Sequence, residues 1–350
     1  MEKGHFTRQE ILSQPEAWTA ALKVLDEIRR SILDLEPGRR YGQVLFTGCG
    51  STYYLALAAA ALTQDLTGLP ARAFPASELW LYPRSSYVDA KTLLVAVSRS
   101  GETTETLRAC EAFLSQERGD LLTVSCYGDI PLAKMGSINI VLPSGQEQSV
   151  AQTRAFSTLY LGTIALACLW AGREDLFASL SNLPEAGRRL LKNYTSLAAE
   201  LGRDTTIDRF YWLGSGPRHG LACELSLKMK EMSLSHGEPF HFMEFRHGPK
   251  SMVTPSSLVV GLRSSVNEKH ESAVLADVNA LGGRVLDMAE AGSTASPRGA
   301  DRGVRFESGL DEAIRNVLYL PIGQMIAFER SISKNLNPDR PNNLDTVVKL

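Results

Sequence analysis

A charge excess of either sign is missing from this chain: 37 lysines and arginines nearly balance 39 aspartates and glutamates, for a formal net charge of −2. The two signs are interspersed, which leaves no electrostatic footprint for nucleic acid or an anionic membrane, and neither is expected as a partner. An anionic ligand would have to be held by a local site. Cysteine is scarce as well. Cys49, Cys110, Cys126, Cys168 and Cys223 are odd in number, widely spaced and never in a C-x-x-C pair. That pattern argues against a disulfide framework or a zinc site and fits a reducing compartment. Long apolar runs are missing too. The longest, Tyr53–Leu62 and Leu159–Gly172, are too short to span a bilayer and read as buried helices. The N-terminus, Met1 to Phe6, has no apolar core of a secretory signal, so a cytoplasmic location is expected. Nucleotide motifs are also lacking. Gly48-Cys49-Gly50 has no third glycine at the dinucleotide spacing, and G-x-x-x-x-G-K-[ST] does not occur. NAD and ATP are set aside, and no cofactor is expected.

What the chain does have is length and alternation. Its 350 residues, 44% hydrophobic and 22% charged, suffice for two ordinary globular domains. Apolar positions at helical spacing run over Gln9–Leu35 (Ile11, Trp18, Leu22, Leu25, Ile28, Ile32), with Pro37-Gly38 as a stop. Then strands and helices alternate. Val44–Thr47, Leu93–Val97, Leu121–Val124 and Ile138–Val141 read as buried strands; Thr52–Leu66, Thr104–Leu114 and Gln152–Trp170 read as helices. The second half repeats the scheme, with strands at Phe210–Leu213 and Leu258–Leu262. Its helices fall at about Gly220–Ser233, Glu268–Leu281 and Ala313–Glu329. Phe46-Thr47-Gly48-Cys49-Gly50 lines up with Trp212-Leu213-Gly214-Ser215-Gly216, the same strand-to-glycine-turn unit twice. The expected fold class is α/β, an internal duplication of a parallel sheet with helices on both faces. The expected boundaries are a helical arm over 1–40, a first domain over 41–185 and a second over 186–350. The link between them is placed around Leu183–Lys192.

Two stretches carry chemistry. Ser98-Arg99-Ser100-Gly101-Glu102-Thr103 follows a buried strand and opens a helix. Free N–H groups and the helix dipole at such a junction favour a dianion, and Ser98, Ser100 and Thr103 add hydroxyl donors. Ser51 and Thr52, after the first glycine turn, supply two more. The plainer alternative is that these hydroxyls only cap their helices. The other stretch runs from Glu224 to Lys250 and holds three of the six histidines. Glu224, Lys228 and Glu231 share a helix face. Moving a proton between C1 and C2 of a sugar requires a carboxylate, an acid/base near neutrality and a cation for the enediolate oxygen. Glu231, His247 and Lys228 supply those three; the bland alternative is a solvated charge ladder. The spacing of His236, His241 and His247 matches no compact metal-ligand motif, and no metal is expected.

At these residues the chain resembles the tandem sugar-isomerase (SIS) family. That family includes the isomerase half of glucosamine-6-phosphate synthase, aminosugar-6-phosphate deaminases and the tagatose-6-phosphate ketose–aldose isomerase group. Gly48-Cys49-Gly50-Ser51-Thr52 resembles the family's C-G-T-S turn, and Ser98–Thr103 its S-Q-S-G-E-T phosphate loop, with Arg99 in place of Gln. Val150–Phe156 is similar to V-A-S-T-K-A-F, Leu227–Glu231 to L-K-L-K-E, Glu244–Pro249 to E-L-K-H-G-P, and Asn337–Leu344 to the C-terminal tail. The resemblance implies two SIS domains, each a flavodoxin-like parallel sheet. It implies that Ser51, Thr52, Ser98, Arg99, Ser100, Thr103, Val150 and Glu224 bind a sugar phosphate. It also makes Glu231 the C1–C2 proton carrier and His247 the ring opener, in a homodimer where His247 reaches the neighbouring subunit's site. A tail lysine of the synthase is replaced here by Asp345-Thr346, and nothing resembles its glutaminase domain, so glutamine is not expected to be used. The expected activity is aldose–ketose isomerisation with deamination of a hexosamine 6-phosphate; the alternative is a non-catalytic phosphosugar-binding regulator.

Overall fold

The computed structural model describes residues 2–292 and 302–347. The chain forms two compact units: one built from 13–147, 152–181 and the tail from 345, the other from 1–12, 148–151 and 182–344.

The first unit is a five-stranded sheet of β1 (Gln43–Gly48), β2 (Ala71–Pro75), β3 (Thr92–Ser98), β4 (Gly119–Ser125) and β5 (Ile138–Val141). All pairings are parallel, in the order β2-β1-β3-β4-β5. Every residue of β1 and β3 is buried, as an all-parallel sheet covered on both faces demands. On one face Leu45, Leu94 and Ala96 pack with Ala109, Cys110 and Phe113 of the helix Thr104–Ser115. The helix Ser51–Thr67 packs against the almost wholly buried helix Arg154–Trp170.

The second unit repeats the plan with β6 (Arg209–Leu213), β7 (His236–Phe240), β8 (Ser257–Leu262), β9 (Arg284–Ala289) and β10 (Arg302–Arg305). The order is β10-β9-β8-β6-β7, again all parallel, so β6 corresponds to β1 and β8 to β3. The duplication expected from the two glycine turns is present strand for strand. Among the described residues no helix is long and apolar enough to cross a membrane.

Three local readings change. The helical spacing over Gln9–Leu35 resolves into helices His5–Leu12, Gln14–Glu27 and Arg29–Leu33. Pro15 opens the second of these, since proline suits a first helical turn and not an interior. The stretch Leu183–Lys192 lies inside a 21-residue helix, Leu183–Arg203, whose apolar face (Leu183, Ala186, Leu190, Leu191, Ala198, Leu201) is buried. That helix packs tightly on Leu320–Ser333: a Cβ at Gly202 would lie 2.6 Å from the Ile326 carbonyl oxygen. Finally, Ala313–Glu329 is broken into Glu312–Arg315, a 3-10 turn at Asn316–Tyr319 and the helix Leu320–Ser333 with Pro321 in its first turn.

Candidate active site

In the first unit the strand order reverses between β1 and β3, and ligands of open α/β sheets bind outside the carboxyl ends of strands at such a switch point. Both hydroxyl-rich turns emerge there. Gly101 has φ +64°, and a Cβ on it would strike Ile130 Cδ1 at 1.8 Å, so only glycine fits the bend of the loop. The loop holds its own shape: the Gly101 N–H donates to Ser98 Oγ (3.0 Å) and the Glu102 N–H to Ser100 Oγ (3.3 Å). Both hydroxyl oxygens act as acceptors, which leaves their hydrogens to donate outward. Thr103 stands at the N-cap of the helix Thr104–Ser115, and its side chain makes no capping bond. Ser51 and Thr52 open the helix after β1 and are buried. Thr52 Oγ1 is committed to Cys49, accepting from its N–H and donating to its carbonyl oxygen at 3.0 Å each.

Arg99 is placed differently from the hydroxyls around it. Its guanidinium is buried and pairs with the Glu147 carboxylate at 3.4 Å, and it also donates to the Thr346 carbonyl at 3.4 Å. Glu147 in turn accepts from the N–H and hydroxyl of Thr153, both at 2.8 Å. The arginine charge is thus matched inside the unit. Glu147 was not singled out from the sequence; its partner lies 48 residues away, beyond the reach of local spacing.

The second unit carries Glu224, Lys228 and Glu231 on the helix Pro217–Ser233, and they are not a solvated ladder. Lys228 and Glu224 are fully buried, at 0% exposure, with Nζ 3.3 Å from Glu224 Oε1. Nζ also donates to Glu231 Oε2, and the Glu231 side chain is 19% exposed. Burial alone would depress the lysine pKa, but the two flanking carboxylates outweigh it and raise the value above normal. Lys228 is therefore an ammonium cation, with one carboxylate behind it and another that reaches solvent.

His247 sits exposed on the turn between the helix Phe242–Phe245 and Gly248, whose φ is +116°. Among the described residues its imidazole has no hydrogen-bond partner. Val150 belongs to the second unit, where its N–H donates to the Asp339 carbonyl at 3.0 Å. Its neighbours Gln148 and Ser149 bond the buried Glu10 carboxylate. One histidine pair escaped the sequence reading: His219 and His241 stack at 3.7 Å between ring centroids. Burial, then the neighbouring His241, pulls the His219 pKa down to about 4, so this ring is neutral at physiological pH. Among the described residues no cluster of three or more His, Cys, Asp or Glu side chains is arranged to hold a metal ion.

Comparison with known proteins agrees with this fold. Residues 39–168 match the family model of the SIS domain. The glutamine–fructose-6-phosphate aminotransferase [isomerizing] of Methanothermobacter thermautotrophicus is 27% identical over 352 residues, an alignment spanning 99% of this chain and 58% of that protein. Its counterpart from Thermococcus kodakarensis is 28% identical over 356 residues, again covering 58% of the relative. The chain thus spans 58% of the length of these curated relatives. Among solved structures, tagatose-6-phosphate ketose/aldose isomerase from Escherichia coli superposes with a TM-score of 0.85 at 23% identity, covering 96% of each chain. Glucosamine-6-phosphate deaminase from Thermotoga maritima gives a TM-score of 0.76 at 26% identity, covering 98% of this chain and 99% of that one. Residues 39–168 thus match a SIS domain, and the strand order of the unit that holds them is repeated in the second unit.

Proposed function

We propose that this protein is a phosphosugar isomerase that moves a proton between C1 and C2 of a 6-phosphorylated sugar or aminosugar. With a hexosamine 6-phosphate as substrate, it releases ammonia. The observation that carries the reading is the line Glu224–Lys228–Glu231, in which a buried ammonium backs the one carboxylate that reaches solvent. Glu231 takes the proton from one carbon and returns it to the other. The Lys228 cation offsets the negative charge that builds on the enediolate. Starting from a 2-amino aldose, the same shift turns the C–N single bond at C2 into an imine; water adds to that carbon and ammonia leaves, giving the ketose. The sugar's phosphate is held by Ser98, Ser100 and Thr103, with Ser51 assisting. The activities named for the relatives, an isomerising aminotransferase of fructose 6-phosphate and a glucosamine-6-phosphate deaminase, support this substrate class.

The test is incubation with a panel of ketose and hexosamine 6-phosphates, following ketose and ammonia together. Isomerisation or ammonia release with at least one member is expected; tight binding of a member without turnover of any would make the protein a phosphosugar-binding regulator instead. We further propose a homodimer in which His247 opens the sugar ring in the partner's site, a role its exposed turn suits. Random mixing of His247→Ala with Glu231→Gln subunits should then restore roughly a quarter of wild-type activity, because half the dimers regain one of two sites. No recovery despite confirmed subunit exchange would place His247 in its own subunit's site.

A further inference from the structure

The second unit has a switch point of its own, between β6 and β8, and the loop that leaves β8 there is the counterpart of Ser98–Thr103. Both begin with an arginine followed by a serine: Arg99-Ser100 after β3, Arg263-Ser264 after β8. The loop Arg263–Asn267 opens the 13-residue helix Glu268–Ala280. Across from it, Arg218 lies in the first turn of the helix that follows β6.

This position is filled by an anion, and the anion is the protein's own. Glu312 Oε1 accepts from Arg218 Nη1 and from Ser264 Oγ, both at 2.6 Å. Glu312 Oε2 accepts from the Ser265 N–H at 2.6 Å, the Val266 N–H at 3.3 Å and Arg315 Nη2 at 3.4 Å. Two guanidinium groups, a hydroxyl and two consecutive backbone N–H groups thus converge on one carboxylate, the donor set of a phosphate cradle. Burial opposes its charge, but Arg218 and these donors prevail and hold the Glu312 pKa below the usual carboxylate value. The cradle has donor capacity to spare. Arg218 is 3% exposed, and among the described residues its Nε has no hydrogen-bond partner. Glu271, 2% exposed and 3.8 Å from Arg218, is pushed by burial to a pKa of about 7, so it competes only weakly for that arginine below neutrality. Arg263 is spent elsewhere, on both oxygens of Asp287 at 2.8 and 3.0 Å and on Glu268 at 2.9 Å, and acts as the rigid base of the loop.

We propose that Arg218, the Ser264–Val266 loop and Arg315 form a second oxyanion site, of the class that takes inorganic phosphate or a phosphate monoester, and that Glu312 closes it in cis. The site lies in the second unit and stands whether or not the protein is an isomerase. A tethered carboxylate competes at an effective concentration of about millimolar or more, so the site is masked while Glu312 is in place.

The test measures binding of inorganic phosphate by calorimetry in a Ser100→Ala/Thr103→Val background, where the first unit's loop is disabled. Comparing that background with wild type reads the first loop separately, so failure of one site is distinguishable from failure of the other. Adding Glu312→Ala should tighten phosphate binding at least tenfold, and adding Ser264→Ala as well should remove most of the gain. Glu312→Ala leaves Arg218 buried without its carboxylate, so Glu312→Gln, which keeps an oxygen acceptor, serves if the alanine variant does not fold. The glutamine variant should show a larger phosphate-induced rise in Tm than the parent. Unchanged phosphate response in whichever variant folds would overturn the proposal, as would a gain that survives Ser264→Ala.

Discussion

The two units share a strand order and differ in what their strand ends carry. At the first switch point the donors are neutral hydroxyls whose oxygens are tied to the loop's own N–H groups. At the second, arginines face carboxylates, and Glu312 accepts from Arg218 and Ser264. On the neighbouring helix a fully buried lysine is locked between two glutamates. One duplicated scaffold thus sets hydroxyls beside a compensated arginine in one copy and a network of several compensated charges in the other. The physical consequence is a division of labour. The half-buried hydroxyls of Ser100 and Thr103 can be removed with little effect on folding, whereas a buried charge that loses its partner is costly.

Two variants, one single and one double, probe that contrast. Lys228→Met should have the larger effect, because it leaves the fully buried Glu224 carboxylate without its cation. Stability should fall by about 3–5 kcal/mol in urea denaturation, with much of the loss recovered when Glu224→Gln is added. A loss well under 1 kcal/mol would mean that water reaches this pair and that the second unit is not the dry one. Ser100→Ala with Thr103→Val should be milder and of a different kind. The sugar-phosphate dissociation constant should rise about tenfold or more, at least ~1.4 kcal/mol, while unfolding stability shifts by only ~0.5 kcal/mol. Unchanged affinity in calorimetry would remove the hydroxyl loop from the site and erase the difference between the two units.

β1, β3, β4 and β5 of the first sheet were legible in the sequence but only β6 and β8 of the second, and the clearest of them are continuous apolar runs, as in Leu93–Val97 and Leu258–Leu262. The strands that were not legible lack that signal. β7, His236-Gly237-Glu238-Pro239-Phe240, contains a proline and a glycine and sits at a sheet edge, where a missing N–H is tolerated. β2 and β10 are edge strands as well, with exposed residues, whereas β9 is a buried inner strand whose apolar run is broken by Asp287. The helix face of Glu224, Lys228 and Glu231 follows from spacing alone, but spacing says nothing about burial, and burial is what turns a charge ladder into a cation behind a carboxylate. Glu147 and Glu312 were invisible for another reason. Each meets its arginine across a long stretch of chain, 48 residues for Arg99–Glu147 and 94 for Arg218–Glu312.

The proposed chemistry turns on one atom's traffic: a substrate proton leaving and rejoining carbon by way of Glu231. Incubating the enzyme in deuterium oxide with a substrate found in the sugar-phosphate panel, and following label at C1 and C2 by NMR, reads that traffic directly. Wild type should exchange the proton during turnover. Glu231→Gln should slow exchange by roughly 10²-fold or more while sugar-phosphate affinity stays nearly unchanged, since the loop proposed to hold the phosphate is untouched. Exchange at the wild-type rate in Glu231→Gln would contradict the account and assign the proton to another group.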